Sequence, residues 1–148
     1  MVRKASEAFK AAGVSAEVMK TKAPGHGAEL AFSYQGDALK KRVMPLAAEL
    51  GSDFLFDCDV SESDALDHAF DTLKQRWETI DFVVHAIGFS DKNELRGRYV
   101  DTSLENFLLT MNVSAYSFTA VARRAREMMP NGGALLTLTY YGAEKVMP

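Results

Sequence analysis

The sequence predicts an α/β fold built on a parallel sheet, and three observations carry that prediction. From residue 28 onward, short apolar runs rich in Phe, Val, Leu and Ile alternate with longer segments, the signature of strand-helix-strand units. The longer segments carry apolar residues at helical spacing. The chain has 148 residues, 47% of them hydrophobic and 25% charged, enough for one core of ordinary domain size.

Four runs read as strands: Ala28 to Tyr34, Asp53 to Val60, Ile80 to Ala86 and Ala134 to Tyr140. Between the first two, Leu39, Val43, Leu46 and Leu50 recur on one helical face with Lys40, Lys41 and Arg42 elsewhere, so this segment is an amphipathic helix that Gly51 ends. Pro45 lies inside it and is expected to kink the helix or delay its start. The second helix carries Leu66, Phe70, Leu73 and Trp77, with Ser61 near the place of an N-cap. The third opens at Thr102-Ser103-Leu104-Glu105, a capping-box pattern, and its apolar face runs to Pro130. Residues 1–27 offer one amphipathic stretch (Ala5, Phe9, Ala12), a break at Gly13, and turn chemistry from Lys20 to Gly27. No strand is expected there. Val14, Ala16 and Val18 alternate weakly, but a parallel neighbour requires a crossover of about a dozen residues.

Composition narrows the function classes. Seventeen Lys and Arg against 20 Asp and Glu give a net charge of −3, which argues against a nucleic-acid or anionic-membrane surface. The single cysteine, Cys58, permits no intrachain disulfide, and no apolar run approaches the roughly 20 residues of a membrane helix. The basic N-terminus lacks the apolar block of a secretory signal. These features lead to the expectation of a cytoplasmic protein. His26, His68 and His85 lie far apart, without Cys or carboxylates at ligand spacing, so no metal site is expected. His85 reads as a structural residue.

In an open α/β sheet, ligands bind beyond the carboxyl ends of the strands. The residues there are Tyr34-Gln35-Gly36-Asp37, Cys58-Asp59-Val60, His85 to Ser90, and Thr139-Tyr140-Tyr141-Gly142. By residue type alone, Gln35 is a polar residue leaving a strand, Asp59 an N-cap, Gly88 a turn glycine, Asn112 a helix residue of modest propensity, and Tyr140 a core residue with a polar tip.

The blocks GAELAFSYQGDALKKRV, CDVSESDALD, DFVVHAIGFSDKNELRGRYVDTS, MNVSAYSF and GALLTLTYYGAEKVMP, taken together and in order, resemble the enoyl-acyl-carrier-protein reductases, a divergent branch of the short-chain dehydrogenase/reductases. The resemblance implies a Rossmann-like doubly wound parallel sheet and NADH/NAD as cofactor. It places Gln35 at the adenosine end, Asp59 and Val60 at the adenine edge, and Ala86, Ile87 and Gly88 under the nicotinamide ribose. Val113 falls beside the nicotinamide, Ser90 at the substrate, and Tyr140 at the thioester as the catalytic-site residue. Asn112 matches an asparagine that breaks the helix ladder near the active site. The reaction implied is reduction of a trans-2-enoyl thioester on acyl carrier protein by a homo-oligomer, a tetramer in the family.

Two family elements have no counterpart in the sequence. A first strand with its glycine-rich turn is expected before Gly27, where no G-x-G-x-x-G variant occurs, and the family's catalytic tyrosine and lysine fall beyond Pro148. Residues 27–148 are therefore expected to be a partial dinucleotide-binding domain, residues 1–26 an atypical segment without family match, and the sheet incomplete, with a gap between the strands at Ala28 and Ile80. The chain alone is expected to be inactive. Tyr141 and Lys145 satisfy the generic Tyr-x-x-x-Lys spacing, but they begin one residue after the strand and enclose Gly142, so they are rejected as the catalytic pair. A non-catalytic nucleotide-binding or oligomerisation module and a generic short-chain dehydrogenase are the alternatives.

Overall fold

A computed structural model describes residues 16–22, 28–139 and 144, with side chains from residue 29 onward. Its strands are β1 (Ala16–Lys22), β2 (Ala28–Tyr34), β3 (Phe54–Asp57), β4 (Phe82–Ala86) and β5 (Ala134–Thr137). Helix α1 (Gly36–Glu49) joins β2 to β3, and α2 (Ser63–Arg76) joins β3 to β4. Between β4 and β5 run α3 (Leu104–Met111), a π-helical turn (Asn112–Tyr116) and α4 (Ser117–Ala125). Among the described residues no helix is long and apolar enough to cross a membrane.

The five strands form one sheet in the order β3-β2-β1-β4-β5. Strands β2 and β3 are parallel, as are β4 and β5. Both inner neighbours pair with β1 antiparallel, Val18 standing opposite Phe32 on one side and Val84 on the other. Three expectations are corrected here. Residues 1–27 do contain a strand, the sheet has no gap between β2 and β4, and the sheet is mixed rather than wholly parallel. The crossover requirement applies only to parallel neighbours. Running backwards, β1 reaches β2 through the five residues from Ala23 to Gly27, an ordinary length for a hairpin connection.

Each strand alternates between the two faces, so the sheet has two cores. Leu30, Phe32, Tyr34 and Val84 pack with Val43 and Ala47 of α1. Ala31, Phe56 and Val83 pack on the other face with Leu66, Phe70 and Leu73 of α2 and Val121 and Ala125 of α4. Covering both faces is the doubly wound arrangement that the apolar runs imply.

Element ends differ in detail from the sequence reading. Helix α1 runs through Pro45 from Gly36, so the proline does not delay its start. It ends in a Schellman motif: Ser52 N–H donates to Ala47 O at 2.9 Å, Gly51 N–H to Ala48 O at 2.9 Å, and Gly51 has φ +74°. Ser61 does not cap α2, whose N-cap is Glu62; its hydroxyl donates to Asp59 instead. Ser103 caps α3 by accepting from Asn106 N–H at 3.1 Å, but no capping box closes within the helix. Glu94, from the preceding loop, accepts from the Ser103 N–H and hydroxyl at 2.9 and 2.8 Å. The single long helix expected from Ser103 to Met129 is divided by the π turn.

Candidate functional site

The carboxyl ends of β2, β3 and β4 lie side by side because these strands share one direction. At the end of β2 the chain turns sharply into α1, with Gly36 at φ +68°, a conformation that favours glycine. Asp57, the last residue of β3, fixes this turn by accepting from the Gly36 N–H at 3.0 Å. Two residues on, Asp59 gathers the neighbouring loop. Its Oδ1 accepts from Ser61 N–H at 2.9 Å and from the Ser61 hydroxyl at 2.7 Å, while its Oδ2 accepts from Gln35 Nε2 at 2.5 Å. Gln35 and Asp59, singled out separately in the sequence, are thus hydrogen-bonded to each other.

Beyond β4 the chain continues as Ile87-Gly88-Phe89. Ser114 of the π turn holds it by accepting from Phe89 N–H at 3.0 Å and donating to Phe89 O at 3.1 Å. These loops enclose a cavity of about 200 Å³. Gln35, Asp59, Val60, Ile87, Gly88 and Val113 all line it, and Leu39 and Leu109 add apolar wall. The polar groups are concentrated at the β2–β3 side.

Two other sequence candidates stand apart from the cavity, and a third falls outside the described residues. Ala86 ends β4 and packs on the α1 face, away from the cavity lining. Ser90 sits in a separate hydrogen-bond cluster, accepting from Thr110 Oγ1 at 2.9 Å and from Asn106 Nδ2 at 3.2 Å. Tyr140, like the Tyr141 and Lys145 pattern, lies outside the described residues. Asp57 and Ser114 were not singled out by the sequence reading, although both fall within or beside the quoted blocks. Their signal is positional: one ends a strand, the other follows Asn112 in the helix.

The π turn has a local cause and a buried consequence. Ser117 N–H bonds to Asn112 O, one residue further back than in an α-helix. The Ser117 hydroxyl donates to Val113 O at 2.6 Å in its place. With its one proton so used, Ser117 Oγ accepts from His85 Nε2 at 2.7 Å, leaving Nδ1 to accept from Thr137 Oγ1 at 3.4 Å. His85 is fully buried and meets the Phe118 ring edge-on at 5.6 Å. It links β4 to the π turn and to β5, the structural part that its sequence position implied.

Burial pushes the His85 pKa below its ordinary value of 6.5, partly offset by a backbone hydrogen bond. The unfolded chain therefore takes up a proton below pH 6.5 that the folded chain resists, so this contribution to stability is present above pH 6.5 and declines as pH falls. Urea midpoints are expected to drop from pH 6.5 downward. His85→Gln should flatten that slope while lowering stability at every pH, and an unchanged slope in the variant would assign the titration elsewhere.

Among the described residues no three His, Cys, Asp or Glu side chains stand close enough to hold a metal ion. The family model described as enoyl-(acyl carrier protein) reductase matches residues 10–148. The chain belongs to this family. It is 61% identical over 122 residues to enoyl-(acyl-carrier-protein) reductase (NADH) 2 of Rhizobium meliloti, covering 82% of this chain and 46% of that relative. It is 47% identical over 123 residues to the Escherichia coli NADH enzyme, FabI, covering 82% of this chain and 47% of it. Among solved structures, FabI from Candidatus Liberibacter asiaticus matches with a TM-score of 0.76 and 55% identity over 80% of this chain and 46% of that one. The Anaplasma phagocytophilum reductase in complex with NAD matches with a TM-score of 0.73 and 56% identity, covering 78% and 45%. The chain thus spans about half the length of the relatives it matches.

Proposed function

We propose that this chain forms the adenosine end of the cofactor site of an NADH-dependent enoyl-acyl-carrier-protein reductase and does not turn over by itself. The observation that carries the reading is the convergence of six residues, Gln35, Asp59, Val60, Ile87, Gly88 and Val113, on one cavity at the carboxyl edge of the sheet. A flat base between apolar walls with a carboxylate at its edge matches that donor set: Asp59 accepts from an exocyclic amino group, and the Val60 backbone adds a second bond. Gln35, held by Asp59, then faces the ribose. Ile87 and Gly88, with Ala86 behind them, carry the chain toward the nicotinamide side, where Val113 packs.

When bound, the nicotinamide supplies the hydride that reduces the double bond of a trans-2-enoyl thioester presented by acyl carrier protein. Tyr140 flanks that thioester, and Ser90 reaches it only if it exchanges its bonds to Asn106 and Thr110. The compartment proposed is the cytoplasm. With crotonyl thioester and NADH, the purified chain is expected to give no loss of NADH absorbance above a protein-free blank; measurable turnover would sink the claim of inactivity.

A second reading, assembly, is favoured by a specific observation. Leu104, Phe107, Leu108 and Met111 of α3 are exposed, as are Leu135 and Leu136 of β5, and apolar surface of this kind marks contact sites. We accordingly propose a homo-oligomer, a tetramer by family likeness, with sedimentation velocity over a range of concentrations as the measurement.

A further inference from the structure

The reversed direction of β1 changes what the cofactor site can recognise. In a doubly wound sheet of this order, a dinucleotide crosses the end of the central strand, and its diphosphate is held by the helix N-terminus that follows that strand. Here the central strand presents its first residue at this edge. Ala16 stands beside Ala86, the last residue of β4, while the last residue, Lys22, lies opposite Ala28 at the far edge. The chain leaves β1 at the far edge, toward the start of β2, so no β1-to-helix turn can point its N–H groups at a phosphate. The helices that do start at the carboxyl edge, α1 and α2, follow β2 and β3; only α1 lines the cavity, through Leu39, and the Gly36 N–H is already bonded to Asp57.

The charge pattern agrees with the topology. Among the described residues lining the cavity the one charged side chain is Asp59, a carboxylate. Each phosphate added to a bound nucleoside meets that negative charge with no cation among the described lining residues to offset it. The described residues fit the adenosine half of the cofactor and do not fit its diphosphate.

The geometry points to a nucleoside site: this chain binds adenosine at least as tightly as NADH, and phosphate groups weaken binding. This rests on the reading of the cavity as the adenosine end of the cofactor site. Selectivity in a complete dinucleotide site runs the other way, because the diphosphate contacts add to those of the base.

Calorimetric titration of the full 148-residue chain with adenosine, AMP, ADP-ribose and NADH tests the inference. Amide chemical-shift mapping in the same samples locates the ligand. The expected result is that adenosine shifts the amides of Gln35, Asp59 and Val60. The affinities should then fall from adenosine to AMP, with ADP-ribose and NADH no tighter than adenosine. Asp59→Asn should raise the AMP-to-adenosine affinity ratio, since it removes the repelling charge. NADH or ADP-ribose binding tenfold or more tightly than adenosine would overturn the nucleoside inference and leave the cavity reading standing. Adenosine producing no shifts at Gln35, Asp59 and Val60 at millimolar concentration would overturn the cavity reading itself, and with it both proposals.

Discussion

Replacing Val18 with proline is expected to lower the stability of the chain by about 2–4 kcal/mol, counting one lost ladder hydrogen bond and the acceptor it leaves buried and unpaired. Val18 is the third of seven residues in β1, with Phe32 on one side and Val84 on the other. In a strand paired on both edges, every N–H belongs to one ladder or the other, and proline is confined to sheet edges and bulges for that reason. The damage is not local. Strand β1 is the only strand connecting the β2–β3 pair to the β4–β5 pair within the described sheet. Against a typical domain stability of about 5–15 kcal/mol, a loss of this size should lower the urea midpoint sharply. Lys92→Pro is the matched control. Lys92 is the second residue of a turn in which Glu94 N–H donates to Asp91 O at 3.0 Å, a position that suits proline, and its midpoint should stay close to that of the parent. Equal midpoints for both variants and the parent would mean that β1 does not hold the sheet together.

Filling the cavity should separate binding from folding. Val113 is half-buried in the π turn and lines the same cavity as Asp59 and Gln35. Val113 also touches the core that α2 and α4 build, and Val113→Trp adds an indole to a residue lining a space of about 200 Å³. Adenosine affinity is expected to fall by at least about tenfold, the loss of roughly 1.4 kcal/mol of binding energy, while far-ultraviolet circular dichroism at the binding temperature stays that of the folded parent. Val113→Ala enlarges the same space and should keep the affinity within about threefold, under 1 kcal/mol. Undiminished binding in the tryptophan variant would place the nucleoside elsewhere.

What could be read without coordinates depended on whether a signal was local. The four runs that became β2 to β5 and the apolar faces of α1 and α2 follow from side-chain period, because each buries its own pattern. Strand β1 was missed although its residues Ala16 and Val18 were noticed. Its seven residues include Glu17, Lys20, Thr21 and Lys22, a poor apolar signal for a central strand, and only the antiparallel option makes its short link to β2 feasible. The site was legible as a set of strand-end residues, and the family likeness assigned them roles. The bond between Gln35 and Asp59, the Asp57 brace on Gly36 and the Ser114 clasp on Phe89 were not, because each joins residues more than 20 positions apart. Asn112 lies between these cases. A helix break there was implied by likeness, but the π turn depends on the Ser117 hydroxyl replacing an amide at Val113 O.

The reversed central strand also sets the order in which this sheet can be assembled. Pairing β1 with β2 closes a loop of a few residues, from Lys22 to Ala28, whereas pairing β1 with β4 brings Lys20 to Phe82. Loop-closure entropy rises with length, and local contacts form first. In a wholly parallel sheet the central strand would have to wait for a crossover on either side. Here a hairpin supplies it early, as a template with one edge still open. Docking of β4 onto that edge closes the longer loop, so it is expected to come later, and it is the pairing that joins the two halves of the sheet.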